Sequence, residues 1–169
     1  IAYYSTDTQA RIISPTDLVV YDKKGENFLA ALDEKQIPYE MHAFDIKELS
    51  FNFADLVAAD ITDTAFENEE SFVPVLKLSE VQQLYPQYEL ARNEAIIMNY
   101  VGVFAEFLPI EAGITASFWT ENQTYELNIK DVKKEMIAGG ALSAGGIPIL
   151  VVADDVFKEL PKQQSIGLN

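Results

Sequence analysis

The sequence predicts an α+β fold, a mixed sheet with short helices packed on it, arranged as one core or as two lobes. Apolar residues make up 49% of the 169-residue chain, and aromatic residues recur along its whole length. Short apolar runs separated by turn residues predict strands, and stretches with helical spacing lie between some of them. A chain of this length can bury roughly two-thirds of its unfolded surface without a disulfide or a metal.

The first 45 residues predict a strand, a helix and a second strand. The compact apolar run at residues 17–21 ends in a turn and is typical of a buried strand. From Glu26 onward, apolar residues recur at helical spacing until Pro38 stops the pattern. Residues 39–45 then alternate as a half-buried strand, on which His42 points outward.

The middle of the chain predicts two further strands and short helices. Residues 53–59 predict a strand or a short helix. Residues 72–78 predict a strand, and Ser79 is expected to cap the helix that starts at Glu80. Residues 94–100 are apolar enough for a strand that is buried on both faces.

The C-terminal third predicts a β-hairpin and a closing unit of one strand and one helix. Residues 117–120 and 124–129 flank a short polar turn, as strands of a hairpin do. Residues 147–152 predict the last strand, and Asp154 is expected to cap a short helix that ends at Leu160.

Two segments have weaker patterns. Residues 101–110 are strongly apolar, which favours a core strand over an exposed patch that faces lipid or a partner. The glycine-rich residues 139–146 predict a flexible connector, because they lack the lysine that phosphate-binding loops need.

The charge balance limits the possible partners. The chain has 27 acidic and 12 basic residues, a formal net charge of −15. This charge repels nucleic acid, which argues against a nucleic-acid partner. It attracts cations, basic proteins and cationic peptides, although an acidic surface also serves solubility alone. Residues 60–71 hold the densest acidic charge, with no lysine or arginine.

Catalytic and metal-binding residue types are scarce. Cysteine is absent and His42 is the single histidine, which excludes thiolate chemistry, Cys-ligated zinc and multi-histidine sites. Asp154 and Asp155 form a carboxylate pair, but a helix cap and a favourable charge in a first helical turn explain them better. The sequence predicts a protein that is not an enzyme and needs no cofactor.

A thioredoxin-like α/β fold is the alternative. A strand and a helix followed by Ile37-Pro38-Tyr39, and later Val73-Pro74-Val75, resemble the surroundings of the cis-proline of that family. The redox cysteines are missing, and the interval before Val73 is long for that family.

Several short segments, taken in their order along the chain, carry a second resemblance. They are LDEKQIPYE at residues 32–40, VPVLKLSEV at 73–81 with LARNEAII at 90–97, and ILVVADDVF at 149–157. In order and spacing they resemble the large extracellular domain of bacitracin-efflux-type ABC transporter permeases, within the FtsX-like, MacB-related group. There, a strand and a Ser-capped helix lead to a Leu-x-x-Asn-Glu stretch, and a hydrophobic strand with Asp and Phe lies near the end of the domain.

The resemblance implies a fragment of an integral membrane protein that lies on the extracellular side of the cell membrane. Residues 1–16 would be the juxtamembrane lead-in, 17–160 a single extracellular domain, and 161–169 the lead-out toward the next membrane helix. Its implied role is to sense and bind a peptide antibiotic, or the complex of that peptide with its lipid target, in antimicrobial-peptide resistance. The full-length permease would work with an ATP-binding subunit and a sensor histidine kinase.

Ligand-binding residues are expected where charge or apolar surface is exposed. An acidic face would concentrate a cationic peptide, and apolar contacts would then hold it. The expected ligand-binding residues are Asp60, Asp63, Glu67, Glu69, Glu70, Phe104 and Phe107.

Two other functions stay open. The first alternative is an extracytoplasmic protein-interaction module of a related FtsX-like permease. The second is an enzyme of unknown chemistry, in which His42 or Asp154 would line a closed pocket as an acid or base.

Overall fold

Six strands form the framework of the part of the chain that the computed structural model describes, which is residues 24–40, 42–57, 70–98, 110–135 and 148–162. The strands are β1 (Lys47–Asn52), β2 (Glu70–Lys77), β3 (Glu94–Met98), β4 (Thr115–Trp119), β5 (Thr124–Val132) and β6 (Ile149–Val152). The helices are α1 (Lys24–Glu34), α2 (Leu78–Val81) and α3 (Asp154–Glu159), with a 3₁₀ turn at Phe53–Leu56.

The six strands close into a barrel in the order β1, β2, β6, β3, β5, β4. The β2–β6 and β3–β5 pairs are parallel, and the other four pairs are antiparallel. The expected mixed sheet with short helices is therefore present, but it closes on itself, which the sequence did not predict. A closed barrel is not the open sheet of the thioredoxin-like alternative, so that alternative is wrong.

Alternate residues of each strand fill the barrel. Side chains two residues apart on a strand share a face, and every strand has an apolar face that points into the barrel. The interior holds Leu49 and Phe51 of β1, Val73 and Val75 of β2, Ala95 and Ile97 of β3, Ala116 and Phe118 of β4, Tyr125, Leu127 and Ile129 of β5, and Leu150 and Val152 of β6. Val156, Phe157 and Leu160, on α3 and just after it, belong to the same cluster.

A second cluster covers the outside of β2, β6 and β3. Leu76, Ile96, Met98, Ile149 and Val151 pack there with Val81 of α2 and with Tyr88 from the segment after it. Strand β6 is consequently buried on both faces. This explains its unbroken apolar sequence, and it confirms the prediction of double-sided burial for β3, in which Ala95 to Met98 are buried.

The N-terminal helix is confirmed, but the strand expected at residues 39–45 is wrong. Residues 42–46 have no strand pairing, and β1 begins at Lys47. This segment instead runs along the outside of the barrel, where Phe44 and Ile46 pack on the second cluster. Side-chain packing rather than a strand ladder holds it. Burial alternates along it in the phase opposite to the predicted one: His42 and Phe44 are half-buried and Ala43 is exposed, so the expectation that His42 points outward is wrong.

Two expected helix caps are also wrong. Helix α2 begins at Leu78, so Ser79 lies inside it, and the backbone N–H of Ser79 donates to Asp154 Oδ1 at 2.9 Å. Helix α3 has Ala153 at its N-cap position, without a side-chain cap. Asp154 therefore caps the neighbouring helix α2 and not its own, because folding brings the first turns of the two helices together.

Several predicted features lie outside the described residues. They are the strand at 17–21, most of the acidic segment 60–71, the apolar segment 101–110 except Ile110, and the glycine-rich connector 139–146. The hairpin of β4 and β5, the last strand β6 and the short helix after it are all confirmed.

Candidate functional site

A row of outward-facing residues crosses four strands of the barrel. Ser50 of β1 pairs with Phe72 of β2 on one side and with Trp119 of β4 on the other. Trp119 also pairs with Thr124 of β5. Ser50, Phe72 and Trp119 each adjoin a residue of the barrel interior, namely Leu49 and Phe51, Val73, and Phe118, so these three side chains project outward.

The row carries exposed aromatic surface. Phe72 is 59% exposed, the largest value among the exposed large apolar residues in the described ranges. Trp119 is half-buried, and Ser50 between them is buried. Neighbouring strands lie about 4.8 Å apart, so the Cα atoms of Phe72 and Trp119 are roughly 10 Å apart. A flat apolar group could therefore contact both rings at once.

Carboxylates flank this aromatic row. Glu70 lies two residues before Phe72 on the outer face of β2, Glu48 two residues before Ser50 on β1, and Glu126 two residues after Thr124 on β5. All three are exposed, and within the described residues no lysine or arginine forms an ion pair with them. We call Phe72, Ser50, Trp119 and these three glutamates the aromatic-acidic face.

The basic residues with known contacts in the described ranges bond elsewhere. Lys77 pairs with Glu80 at 2.8 Å, and Lys130 pairs with Glu94 at 3.1 Å. Arg92 Nη1 donates to Asp155 at 2.8 Å and Nη2 to Glu159 at 2.5 Å. The negative potential of the aromatic-acidic face is therefore not neutralised by these cations, and it favours a positively charged ligand.

One end of the barrel is closed by α3 and held by a lysine. Lys47 Nζ donates to the backbone carbonyls of Phe157 and Leu160, both at 2.7 Å, and lies 4.6 Å from the centroid of the Phe157 ring. Burial lowers the pKa of Lys47, and neighbouring Lys162 and Lys77 lower it further, although Asp45 opposes them. This ammonium group satisfies the Leu160 carbonyl, just past the C-terminal end of α3, and is a second donor to the Phe157 carbonyl, which also accepts from Leu160 N at 3.2 Å.

The predicted ligand-binding residues have different outcomes. Glu70 begins β2, where it is exposed and belongs to the aromatic-acidic face. Asp60, Asp63, Glu67, Glu69, Phe104 and Phe107 lie outside the described residues, so their prediction stays open. His42 is half-buried, with Nδ1 3.3 Å from Gln83 Oε1 and Nε2 3.3 Å from Glu40 Oε1.

The sequence prediction missed Phe72 and Trp119, although both lie in correctly predicted strands. The alternation of apolar and polar residues along each strand already indicated that both rings face outward. Phe72 is out of phase with Val73 and Val75, and Trp119 is in phase with the polar Ser117 and out of phase with Phe118. An aromatic residue on the polar phase of a strand indicates a surface aromatic, which marks binding sites more often than a core aromatic does.

The described ranges contain neither a metal-ligand group nor a membrane-spanning helix. No group of three or more His, Asp or Glu side chains is placed to hold a metal ion there. Nor is any helix of those ranges both long and apolar enough to cross a membrane.

Comparison with known proteins gives two similar relatives. The chain is 21% identical over 161 residues to the bacitracin export permease protein BceB of Halalkalibacterium halodurans, a match that covers 95% of this chain. It is 19% identical over 165 residues to BceB of Bacillus subtilis strain 168, which covers 97% of this chain. No protein-family profile matches.

These two matches support a relation to bacitracin export permeases. The chain spans about a quarter of the length of these relatives, 24% of one and 25% of the other. The similarity therefore extends over nearly all of this chain but over a limited part of each permease.

Proposed function

We propose that this chain is an extracellular ligand-binding domain of an ABC transporter permease that acts in resistance to peptide antibiotics. The observation that carries the proposal is the match of at least 95% of the chain to two proteins named as bacitracin export permeases. In this proposal the domain binds the peptide, alone or with its lipid target, and performs no bond-making step itself. ATP hydrolysis belongs to a separate ATP-binding subunit, and a sensor histidine kinase is a further partner.

The aromatic-acidic face is the binding surface that we propose. Its carboxylates, which form no ion pair with a described lysine or arginine, attract a cationic peptide and raise the rate of encounter, while Phe72 and Trp119 supply apolar contact area. Aromatic residues at the centre of an interface commonly contribute the largest share of binding energy. The proposal therefore assigns attraction to Glu48, Glu70 and Glu126, and retention to the two rings.

The single tryptophan makes the proposal testable, because Trp119 is the only tryptophan of the chain. Titration with bacitracin, followed by tryptophan fluorescence, should give a saturable change. Phe72→Ala should weaken binding by roughly tenfold, since it removes one of two aromatic contacts. Phe28→Ala is the matched control: Phe28 is also exposed, at 39%, but lies on α1, and its loss should leave binding unchanged.

Two results would count against this function. One is the absence of any saturable fluorescence change with bacitracin, and the other is an equal loss of binding in the Phe72 and Phe28 variants. A basic peptide should also bind more weakly at high salt, because salt screens exposed charges. Binding that stays constant from low to high salt would leave the rings a role but remove the proposed role of the glutamates.

The alternative of a protein-interaction module has its own supporting observation. Phe28 and Ile37, on α1 and just after it, are 39% and 47% exposed, and Tyr39 is 44% exposed. This alternative predicts that Phe28→Ala impairs resistance in cells that carry the full-length permease, while peptide binding by the isolated chain is unchanged. Normal resistance with Phe28→Ala would argue against it.

A further inference from the structure

The two partners of β5 do not cover it equally. On one side β4 pairs with the N-terminal half of β5, from Thr124 to Asn128. On the other side β3 begins to pair only at Asn128, which lies opposite Glu94. Among the strands of the described residues, the four residues from Thr124 to Leu127 therefore have a neighbour on one edge only.

The direction of the backbone groups follows from the hydrogen bonds at the two ends of the hairpin. Thr120 N donates to the Gln123 carbonyl at 2.8 Å, and Ile129 N donates to the Ile114 carbonyl at 2.7 Å. In an antiparallel pair, residues alternate between facing the partner strand and facing away from it. Gln123, Tyr125, Leu127 and Ile129 thus face β4, whereas Thr124 and Glu126 direct their N–H and C=O groups away from it.

At Asn128, the same edge of β5 does have a backbone hydrogen-bond partner. Asn128 is the next residue in the same phase, and its backbone N–H donates to the Asn93 carbonyl at 2.8 Å. Within the described residues, no backbone bond of this kind reaches Thr124 or Glu126. The edge thus offers four backbone groups over about 13 Å of strand.

A groove lies along this open edge. It has a volume of about 470 Å³ and is lined by the Thr124–Leu127 stretch, by Arg92 and Asn93, and by Val156 of α3. Arg92 is bonded to Asp155 and Glu159, so its charge is already matched. Arg92, its two carboxylate partners and Glu126 together carry one positive and three negative charges, which favours a basic occupant.

We infer that the open edge of β5 is a strand-addition site, at which an extended segment of a basic peptide pairs with the backbone of Thr124 and Glu126. The inference rests on the proposed peptide-binding function. Added strands gain affinity from main-chain hydrogen bonds and specificity from alternate side chains. Thr124 also pairs with Trp119, so β5 alone would separate a peptide on this edge from Trp119 of the aromatic-acidic face.

The test uses a synthetic octapeptide of alternating lysine and threonine, with the 169-residue chain observed by amide NMR. Bound peptide should protect the Thr124 and Glu126 amides from hydrogen exchange, while the Tyr125 amide, already bonded to β4, should change little. An octapeptide that is N-methylated at alternate residues has no N–H donors along one of its two edges. That edge cannot form a strand ladder with β5. The N-methylated octapeptide should bind more weakly by roughly tenfold or more.

A pair of protein variants gives an independent check. Glu126→Ala removes the carboxylate and keeps the backbone N–H, whereas Glu126→Pro removes both. Because this N–H faces away from β4, proline costs no bond of the hairpin. Glu126→Pro should therefore bind the octapeptide roughly tenfold more weakly than Glu126→Ala, with circular dichroism confirming that both are folded. If the proline variant fails to fold, the comparison of the plain and N-methylated octapeptides on the unchanged chain tests the inference.

Three outcomes would overturn the inference. They are equal binding of the plain and N-methylated peptides, no added protection at Thr124 and Glu126, or protection of these amides without peptide in a concentration-dependent dimer. The result for the proposed function is separate. A fluorescence change of Trp119 with bacitracin, but no amide protection with the octapeptide, would retain the proposed function and remove the strand-addition site.

Discussion

At the scale of single residues, the backbone at Gln36 is the clearest point of strain. Gln36 has φ of 54°, a left-handed conformation that L residues other than glycine rarely adopt. It follows α1, and two bonds close the helix there: Gln36 N donates to the Asp33 carbonyl and Ile37 N to the Leu32 carbonyl, both at 3.0 Å. This is the Schellman arrangement, in which glycine is the preferred residue at the left-handed position.

Gln36→Gly should therefore stabilise α1. The gain is about 1 kcal/mol, because glycine adopts the left-handed region without a steric penalty. Helix α1 contributes no residue to either core cluster, so the gain should be local. Amide exchange within α1 should slow by roughly fivefold, while the midpoint of global unfolding stays constant. Gln36→Ala keeps the penalty, so equal slowing in that control would contradict the argument.

At the scale of secondary-structure elements, α3 is a short helix with contacts on several sides. Its residues Val156 and Phe157 enter the barrel core, and Asp154 caps α2. Arg92 bonds to Asp155 and Glu159 on its exposed side. A helix of 6 residues is too short to be stable by itself. These tertiary contacts, and not the intrinsic helix propensity, hold it in place.

Lys47→Met should weaken this element. The variant keeps most of the apolar stem but leaves the carbonyls of Phe157 and Leu160 without the ammonium donor. We expect a loss of about 1–3 kcal/mol in the free energy of unfolding, the usual cost of leaving a polar group unsatisfied, here the Leu160 carbonyl, because the Phe157 carbonyl keeps its bond from Leu160 N. Urea denaturation measures it. Lys158→Met on α3 is the control, since Lys158 is exposed. A loss as large in the control would show that charge, not carbonyl capping, is responsible.

At the scale of the whole molecule, the excess of acidic charge dominates. A formal charge of −15 destabilises a compact state through repulsion, and protonation of carboxylates at low pH relieves it. Specific pairs oppose this trend. The hydrogen bond from Arg92 lowers the pKa of Asp155, and the backbone N–H of Ala91 together with Lys130 lowers the pKa of Glu94. Acid therefore has two effects of opposite sign on stability.

The Arg92→Gln variant separates these effects. Because the pKa of Asp155 is lower in the folded state, its ion pair stabilises the protein above the usual aspartate pKa of 3.8 and is lost as pH falls below it. The melting temperature of Arg92→Gln should lie below that of the unchanged chain at pH 7, and the difference should shrink toward about pH 3. Lys158→Gln removes an equal charge from α3 and should show a smaller, less pH-dependent difference. An Arg92→Gln difference that is constant with pH would contradict this pairing.

The sequence by itself determined most elements of the fold. Apolar runs and alternation located β2, β3, the β4–β5 hairpin and β6, and helical spacing located α1, because these patterns record which local face is buried. The order and spacing of short segments also led to the permease resemblance that the two relatives support. Of the predicted site residues, Glu70 is the one that the described structure places, and it lies on the aromatic-acidic face.

Only the tertiary structure decided how these elements combine. Closure of the barrel depends on pairings between strands far apart in sequence, such as β1 with β4 and β2 with β6, and local patterns carry no information about such partners. The same closure joined Phe72, Ser50 and Trp119 in one row, and it left the edge of β5 from Thr124 to Leu127 without a partner strand among the described residues. Asp154 was assigned to the wrong helix for the same reason: a carboxylate caps whichever N–H group folding brings to it.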